Sequence, residues 1–577
     1  TAASVTNADL NLVAGDPPRA ELVDWALGLD TKDDVTPPAG TADTRHQMGD
    51  PVHTQPVTIV YGKLGDGTDD TVVFAPTNDG YFHAIDASNT PTGADTATSG
   101  KELWAFIPKE MLPHLKDLYA DLPVVNKHYG LDGSVTVLKY DINGDGTING
   151  SDRVILYFGT GRNADTAAYY ALDVTNRNSP KLLWKDDGSQ LTGLGQAWST
   201  PVITRVNILG ATQNSQRLVL VIGGGYDAME ENKTWYASDA LGNHLYMVDA
   251  LTGNLLWSAG KAGANFNSNK MDHAIPSPVA VLDLDGNGYA DRMYVGDMAA
   301  QLWRFDITNG NNAAGLVAGG VIASLGTRLD AVHPAADQRR FYSAPDIAAE
   351  QKPKLSPFLS IAIGSGYRGH PLDQTIHDRF YDIRDYSGFQ KLSQAQFNLL
   401  PVIRDAQSAG VPALVDITAM AAPVLPANAL GWQLDLNTHP DWSAGEKSLV
   451  PSRTFGDQII FTTYTPNTAV VADPCSGAGT GTNRAYAVSV FDGAPVFDRN
   501  NDNVLTTDER SQDLRQGGIA PETAFLFPAP PGGGNGSGGG ANGGSGTVTC
   551  LSGVEVLNVC AKFDQRVKTY WREGMAN

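Results

Sequence analysis

Three short loops of the sequence carry acidic and amide side chains at alternate positions, a spacing that suits a bound cation. The first loop is DINGDGTINGSD at 141–152. The first, third, fifth, seventh, ninth and twelfth positions of an EF-hand loop fall on Asp141, Asn143, Asp145, Thr147, Asn149 and Asp152. Alternate residues of a tight loop point their oxygens inward, and Gly146 at the sixth position permits the turn. The sequence therefore predicts a Ca²⁺ site, closed by an Asp that is shorter than the usual Glu.

A second loop, DRNNDNVLTTDE at 498–509, repeats the same spacing. Its six ligand positions fall on Asp498, Asn500, Asp502, Val504, Thr506 and Glu509. Val504 offers only its backbone carbonyl. Asn503 takes the sixth position, where Asn is among the few residues that tolerate a left-handed backbone. This loop is a second predicted Ca²⁺ site.

The third loop, DLDGNGYAD at 283–291, is shorter, and its closing carboxylate comes at the ninth position. Its predicted ligands are Asp283, Asp285, Asn287, the Tyr289 carbonyl and Asp291. Asn-Gly and Asp-Gly pairs also serve as plain hairpin turns. That interpretation leaves the strict alternation of oxygen-bearing side chains unexplained in all three loops. The run GDGTDD at 65–70 lacks the alternation, and we expect a plain turn there.

Charge and composition narrow the classes of function. The 577 residues include 41 Lys and Arg against 63 Asp and Glu, which gives a net charge of −22. Nucleic-acid binding is not expected, because it requires clustered positive charge. The longest apolar run, 313–325, is shorter than the roughly 20 residues that cross a bilayer. No transmembrane segment is expected in this chain, and the start at Thr1 indicates a processed or truncated beginning.

Other signals are weak. Three cysteines occur, Cys475, Cys550 and Cys560, and both one disulfide with a free thiol and three free thiols remain open. The G-x-G-x-x-G run at 363–369 is followed at once by His-Pro, so turn glycines are favoured over a dinucleotide site. The 11 His residues are scattered without H-E-x-x-H or C-x-x-C motifs, so a zinc site has no support in the sequence.

The acidic loops lie among β-rich repeats. Runs of β-branched and aromatic residues with an aromatic-x-x-Asp close recur at 72–87, 154–176, 218–257, 292–310, 358–385 and 458–493. Each run indicates antiparallel strands with an apolar face that only a neighbouring repeat can cover. A β-propeller over 45–530 satisfies this requirement. An array of sandwich domains is the main alternative, but no Pro- or Ser-rich linker interrupts 45–525.

The remaining segments are additions to this all-β scaffold. Residues 1–44 are interpreted as a lead-in from a missing upstream region. Short helical insertions are predicted after Pro108 within 100–122 and at 392–406, where Pro401 breaks the helix. The Gly-rich run at 531–546 is predicted to be a flexible loop. We expect 547–577 to supply C-terminal strands that close the propeller.

Several phrases resemble, in order, the C-terminal domain of the PilC/PilY family of type IV pilus tip adhesins and biogenesis proteins. They are LVDWALGLD at 22–30, RHQMGDPVHTQPVTIVYG at 45–62, VFAPTNDGYFHAIDA at 73–87, ELWAFIPKEMLPHL at 102–115, YYALDVT at 169–175, VLDLDGNGYADRMYVGDMAAQLWRFD at 281–306 and GSGYRGHPL at 364–372. The resemblance implies a modified, quinoprotein-like seven-bladed β-propeller. It also implies a calcium loop at 283–291 and a missing N-terminal region, often a von Willebrand A-like module.

The same resemblance implies a location and partners. The protein would be exported to the bacterial cell surface and pilus tip, with an outer membrane-associated or periplasmic pool. Its partners would be minor pilins and other pilus tip components, together with a receptor on a host cell or an abiotic surface. The functional hypothesis is a non-enzymatic, Ca²⁺-binding protein that supports pilus assembly, controls extension against retraction and promotes adhesion.

An enzyme is the alternative hypothesis. The phrases at 84–87 and 248–257 resemble the A-x-D-x-x-T-G-x-x-x-W docking phrase of quinoprotein dehydrogenases that use pyrroloquinoline quinone. Such an enzyme would hold the quinone and Ca²⁺ in the central funnel, often beside a disulfide of adjacent cysteines. This sequence has no adjacent cysteines. The docking phrases pack blades together whether or not the funnel is used, so we do not expect an enzyme.

Overall fold

In the part of the chain that the structure describes, the strands form seven sheets, arranged in chain order. The computed structural model describes residues 4–32, 44, 48–89, 98–122, 128–232, 237–326, 337–405, 413–436, 445–467, 481–526 and 549–557. Sheets one to three contain β1 (Val57–Lys63), β2 (Asp69–Pro76), β3 (Phe82–Asp86) and β4 (Glu102–Phe106); β5 (Val135–Tyr140), β6 (Arg153–Gly159), β7 (Tyr169–Asp173) and β8 (Lys181–Asp186); and β9 (Val202–Arg205), β10 (Leu218–Gly223), β11 (Leu245–Asp249), β12 (Leu255–Gly260) and β13 (Phe266–Asn267).

The remaining four sheets continue the series. They contain β14 (Ala280–Leu282), β15 (Arg292–Gly296), β16 (Gln301–Ile307) and β17 (Val317–Ser324); β18 (Asp346–Glu350), β19 (Phe358–Gly364), β20 (Arg379–Asp385), β21 (Val415–Asp416) and β22 (Gly431–Asp435); β23 (Arg453–Phe455), β24 (Gln458–Thr465), β25 (Thr482–Ser489) and β26 (Ser511–Leu514); and β27 (Thr523–Leu526), β28 (Thr549–Ser552) and β29 (Glu555–Val556).

Each sheet packs its apolar side chains against the next sheet along the chain. The ring of Phe82 in sheet one lies 4.6 Å from that of Phe158 in sheet two. Trp257 of sheet three shares a core with Met293 of sheet four. Inner strands such as β10 are buried on both faces, as expected where a sheet is covered from two sides. The protein is a seven-bladed β-propeller, which confirms the all-β fold predicted from the sequence.

Helices are few and short in the described part of the chain. They are α1 (Arg19–Ala26), α2 (Leu115–Ala120) and α3 (Gln394–Phe397), with 3₁₀ turns at Lys109–His114, Ala228–Asn232, Ala313–Gly315 and Thr507–Arg510. Among them, none is long and apolar enough to cross a membrane. The insertion after Pro108 is helical as predicted, and the part of 100–122 that precedes it forms β4.

The second predicted insertion, 392–406, is helical over only four residues. Ser393 caps α3 through a capping box with Gln396. After Pro401 the chain is extended, and Ile403 exchanges backbone hydrogen bonds with Ile322 and Ser324 at the edge of β17. Pairing with this strand therefore replaces the rest of the predicted helix.

The two ends of the chain pack on the propeller in different ways. Leu22 and Trp25 of α1 share a core with Leu115 of α2, so the lead-in segment lies on the helical insertion of sheet one. At the other end, β28 pairs with β27 and completes sheet seven. Cys550 in β28 is disulfide-bonded. The other two cysteines, the Gly-rich run at 531–546 and most of 547–577 lie outside the described residues.

Strand order decides at which end of the propeller each loop lies. In an antiparallel sheet, the connections between its first and second strands and between its third and fourth strands leave from one end. The loop 141–152 joins β5 to β6, 283–291 joins β14 to β15, and 498–509 joins β25 to β26. All three loops therefore lie at one end of the propeller, which we call the acidic end. The connections between sheets lie at the opposite end.

Candidate functional site: three acidic loops

The three predicted calcium loops share one backbone course. In each loop the fourth and sixth residues have positive φ: Gly144 (68°) and Gly146 (80°), Gly286 (72°) and Gly288 (87°), and Asn501 (57°) and Asn503 (64°). Only Gly, and to a lesser degree Asn, adopts this left-handed conformation at low cost. The local sequence thus dictates the same double turn in all three loops.

The first Asp of each loop holds this turn by accepting backbone hydrogen bonds. Asp141 accepts from the N–H groups of Gly144 and Gly146, both at 2.8 Å. Asp283 accepts in the same way from Gly286 at 2.8 Å and Gly288 at 2.7 Å. In the third loop Asp498 accepts from Asn503 at 2.8 Å. The side chain at the first position is therefore turned into the loop in every case.

The middle of each loop repeats a second contact. The fifth side chain accepts a hydrogen bond from the N–H of the seventh residue: Thr147 to Asp145 at 2.7 Å, Tyr289 to Asn287 at 2.8 Å and Val504 to Asp502 at 2.7 Å. The third side chains, Asn143, Asp285 and Asn500, accept likewise from the fifth N–H.

The closing carboxylate ties the end of each loop to its beginning. Oxygen atoms of Asp152, Asp291 and Glu509 accept from the N–H of the second residue, at 2.9, 2.9 and 2.8 Å. Asn149 and Thr506, the ninth residues of the longer loops, also donate their N–H to the closing carboxylates at 2.9 Å. Of the three loops, only 283–291 brings three carboxylates within 4.8 Å of one another in the described part of the chain.

The spacing of oxygens in the loop 283–291 fits one Ca²⁺ ion. Carboxylate oxygens of Asp283, Asp285 and Asp291 all lie within 4.8 Å of one another. With Ca–O bonds of about 2.3–2.6 Å, ligands on opposite sides of the ion are about 5 Å apart. The three oxygens therefore fit within one coordination sphere. In the loop 498–509, Oδ1 of Asp498 is buried without a hydrogen-bond partner among the described residues. Such an oxygen is suited to bind a cation.

Hydrogen bonding keeps two of these carboxylates ionised. The backbone N–H of Thr147 lowers the pKa of Asp145. Burial acts to raise the pKa of Glu509, but hydrogen bonds led by that from the Thr506 N–H outweigh it, and the net shift is downward. Both groups are therefore charged at neutral pH, the form that binds a hard cation.

Each acidic loop is attached to the preceding sheet. The N–H of Ile148 donates to the Tyr61 carbonyl of β1 at 2.7 Å. In the same way, the N–H of Ala290 donates to the Arg205 carbonyl of β9 at 2.9 Å. Directly after the third loop, the Arg510 guanidinium donates to the Ile417 carbonyl beside β21 at 3.1 Å. The ordered conformation of each loop is thus coupled to the contact between two neighbouring sheets.

The run 65–70 differs from these loops, as expected. The N–H of Thr68 donates to Asp66 at 2.9 Å, and the N–H of Leu64 donates to the Thr68 carbonyl at 2.7 Å. These are the contacts of a hairpin turn.

At the opposite end of the propeller, side chains that flank sheets three and five pack together. Trp198 and Tyr226, which flank sheet three, stack with ring centroids 4.4 Å apart. Tyr226 also packs against Tyr342, which precedes sheet five, at 6.1 Å. Arg340 forms a buried ion pair with Glu230 at 3.0 Å across the same two sheets. Aromatic and ionic packing therefore joins sheets three and five at this end.

One side-chain cluster was missed in the sequence. His114, His128 and Asp165 come from three segments far apart in the chain and meet at the opposite end. They form no motif, so the sequence alone gave no signal that could have identified them.

Comparisons with known proteins agree with this architecture. No protein-family model matches the chain. A type IV pilus biogenesis factor PilY1 homolog of Xylella fastidiosa is 25% identical over 417 residues, which is 71% of this chain and 28% of the relative. PilY1 of Pseudomonas aeruginosa PAO1 is 28% identical over 242 residues, 41% of this chain and 17% of that protein. The chain thus spans about a quarter or less of the length of these relatives.

A solved structure has a similar fold. The crystal structure of the Pseudomonas aeruginosa PilY1 C-terminal domain superposes with a TM-score of 0.53 at 18% identity, over 84% of this chain and 92% of that one. This likeness shows the propeller fold. With the sequence relatives, it confirms the resemblance predicted from the sequence: the chain is similar to type IV pilus biogenesis factors of the PilC/PilY family and, in fold, to the C-terminal domain of one of them.

Proposed function

We propose that this chain is the propeller region of a non-enzymatic type IV pilus biogenesis protein that binds Ca²⁺ through its three acidic loops. The names of the curated relatives support the role in pilus biogenesis, and those names describe a biogenesis factor rather than an enzyme. The observation that carries the calcium proposal is the convergence of the Asp283, Asp285 and Asp291 carboxylates within 4.8 Å. The same backbone course in the other two loops extends the proposal to 141–152 and 498–509.

Calcium would act on this chain through charge. A bound Ca²⁺ ion neutralises carboxylates that otherwise repel one another. Asp291 joins the end of its loop to Leu284, and the adjacent Ala290 donates to Arg205 of sheet three. A loop ordered in this way stiffens the contact between sheets three and four. We propose that a pilus partner binds the acidic end only in this ordered state, which would link calcium to extension against retraction.

Partners and location follow from the same proposal. The chain would be exported and would assemble with minor pilins at the pilus tip, on the cell surface or in a periplasmic pool. Adhesion to a host cell or an abiotic surface would be a second role. With a net charge of −22, contact with an anionic surface would need bridging cations, which the acidic loops are suited to supply.

The first test is calcium stoichiometry, measured by titration calorimetry on the chelator-stripped chain. We expect three sites. One site, lost on Asp291→Asn, would restrict calcium binding to 283–291 and return the other loops to plain turns. No binding would overturn the calcium proposal.

The biological part of the proposal needs a cellular test. The parent protein carrying Asp291→Asn would replace the native protein in the source bacterium, and surface pili would be counted with and without a calcium chelator. We expect piliation to become insensitive to the chelator. A dye-reduction assay with added pyrroloquinoline quinone tests the alternative, and quinone-dependent activity would overturn the non-enzymatic proposal.

A further inference from the structure

The side-chain cluster of His114, His128 and Asp165 lies at the end of the propeller opposite the acidic loops. His114 ends the 3₁₀ turn that precedes α2, and His128 lies on the connection from sheet one to sheet two. Asp165 lies on the loop between β6 and β7. Side-chain exposures are 23%, 49% and 52%, so the cluster is open to solvent on one side.

The distances within the cluster match those between the ligands of one metal ion. Oδ2 of Asp165 lies 3.2 Å from His128 Nδ1 and 3.5 Å from His114 Nε2. The shorter separation is that of a hydrogen bond between His128 and Asp165, and the longer one exceeds the usual hydrogen-bond range. A tetrahedral Zn²⁺ ion with bonds of about 2.0–2.1 Å separates its ligand atoms by about 3.3 Å. The two distances bracket this value, and all three ligand atoms lie within 4.8 Å of one another.

A buried asparagine holds the three segments together. Asn163 is 1% exposed, and its side-chain oxygen accepts from the N–H of Asp165 at 2.9 Å. Its side-chain nitrogen donates to the carbonyl of Tyr129, the neighbour of His128. The same nitrogen lies 3.4 Å from the sulfur of Met111, one turn before His114. The arrangement of the three donors is thus fixed by an organising residue that is not itself a ligand.

A cavity beside the cluster allows a cation to reach it. A cavity of about 320 Å³ is lined by both His114 and His128. Four aspartates also line it: Asp50, Asp79, Asp117 and Asp121. Their negative charge draws cations to the cavity. The cavity thus reaches both imidazoles, while Asp165 lies outside its lining.

From this geometry we propose that His114, His128 and Asp165 form a binding site for a divalent transition metal ion of the zinc class. Two imidazoles and one carboxylate suit Zn²⁺, Ni²⁺ or Cu²⁺, whereas Ca²⁺ takes six to eight oxygen ligands. The ion clamps the helical insertion of sheet one to the β6–β7 loop of sheet two. This site is separate from the acidic loops and does not depend on the proposed function.

Cobalt provides a direct probe of the site. The whole chain is stripped with a chelator and returned to buffer with millimolar Ca²⁺, so that the acidic loops are already filled. Co²⁺ is then titrated while visible absorption is recorded, because four-coordinate Co²⁺ absorbs far more strongly than the hydrated ion. We expect one equivalent to bind with a strong visible band, and Zn²⁺ to displace it.

Single substitutions identify the residues that bind the ion. His114→Ala and His128→Ala should each abolish the band, and Asn163→Ala should weaken Co²⁺ binding by about 10- to 100-fold. His370→Ala is the matched control, since His370 is 44% exposed and also pairs with a single carboxylate, Glu231. It should bind Co²⁺ like the native chain.

Two results would overturn the proposal. One is the absence of a strong band in the native chain. The other is a band that survives in both ligand variants. An unchanged far-ultraviolet circular dichroism spectrum and an unchanged urea midpoint in the variants show that they are folded.

Discussion

Replacement of Asp291 by Asn should have opposite effects on stability with and without calcium. Oδ2 of Asp291 accepts the Leu284 N–H at 2.9 Å, a bond that an Asn side-chain oxygen can also accept. The second oxygen would then be replaced by an amide nitrogen, which donates and cannot bind a cation. The substitution thus keeps the turn and removes both a charge and a ligand.

The magnitude follows from the distances. Asp291 has two carboxylate neighbours in its loop, Asp283 and Asp285, each within 4.8 Å. In a water-like dielectric, each repulsion is about 1 kcal/mol at this distance, and physiological salt roughly halves it. Without calcium, Asp291→Asn should therefore raise the free energy of unfolding by about 1 kcal/mol.

Calcium reverses the order of stability of the native chain and the variant. Extracellular Ca²⁺ sites have dissociation constants of about 10⁻⁴–10⁻³ M, so about 10 mM Ca²⁺ stabilises the native loop by roughly 1.4–2.7 kcal/mol. The variant loses this contribution and should become less stable than the native chain by about 0.4–1.7 kcal/mol.

The assay is urea unfolding of both proteins in a chelator and in calcium. Asp66→Asn is the matched control, because Asp66 lies in a hairpin turn at the same end and accepts one N–H. Its effect should be equal in both buffers. If Asp291→Asn were equally destabilising in both buffers, Asp291 would act only on the turn, and the electrostatic reasoning would be refuted.

Three further predictions concern the propeller itself. Burial raises the pKa of Glu446 from 4.5 to about 8, so stability should fall as the pH rises between these values, and Glu446→Gln should flatten this slope in urea unfolding at several pH values; an unchanged slope would contradict the assignment. Arg304→Met leaves buried Asp385 without its cation, whereas Asp306 keeps its ion pair with Arg292, and calorimetric or urea unfolding should show a loss of about 3–5 kcal/mol. Cys550→Ser should lower the free energy of unfolding by about 2–4 kcal/mol, and the same loss on reduction of the native chain would assign it to the disulfide.

The sequence by itself determined the features whose causes are local. Each acidic loop is folded by hydrogen bonds among its own residues, such as the one that the Gly288 N–H donates to Asp283. Its spacing could therefore be recognised in the sequence. The repeated strands could also be predicted from the sequence, because a strand and its hairpin partner are close in the chain. Their recurrence then implied a propeller, since each face needs a neighbour.

The seventh sheet was harder to predict in detail. Six repeats were visible, but β27 and β28 are separated by the Gly-rich run at 531–546 and form no continuous hairpin phrase. The helix predicted at 392–406 was also shortened by tertiary pairing, because Ile403 bonds to the edge of β17.

Only the tertiary structure decided which distant groups meet. Strand direction places the three acidic loops at one end, and packing of sheet one on sheet two brings His114 and His128 to Asp165. The raised pKa of Glu446 likewise depends on burial by other elements. Local hydrogen bonds act within a few residues and leave their pattern in the sequence. Contacts between sheets join residues far apart in the chain, and their positions depend on the whole fold.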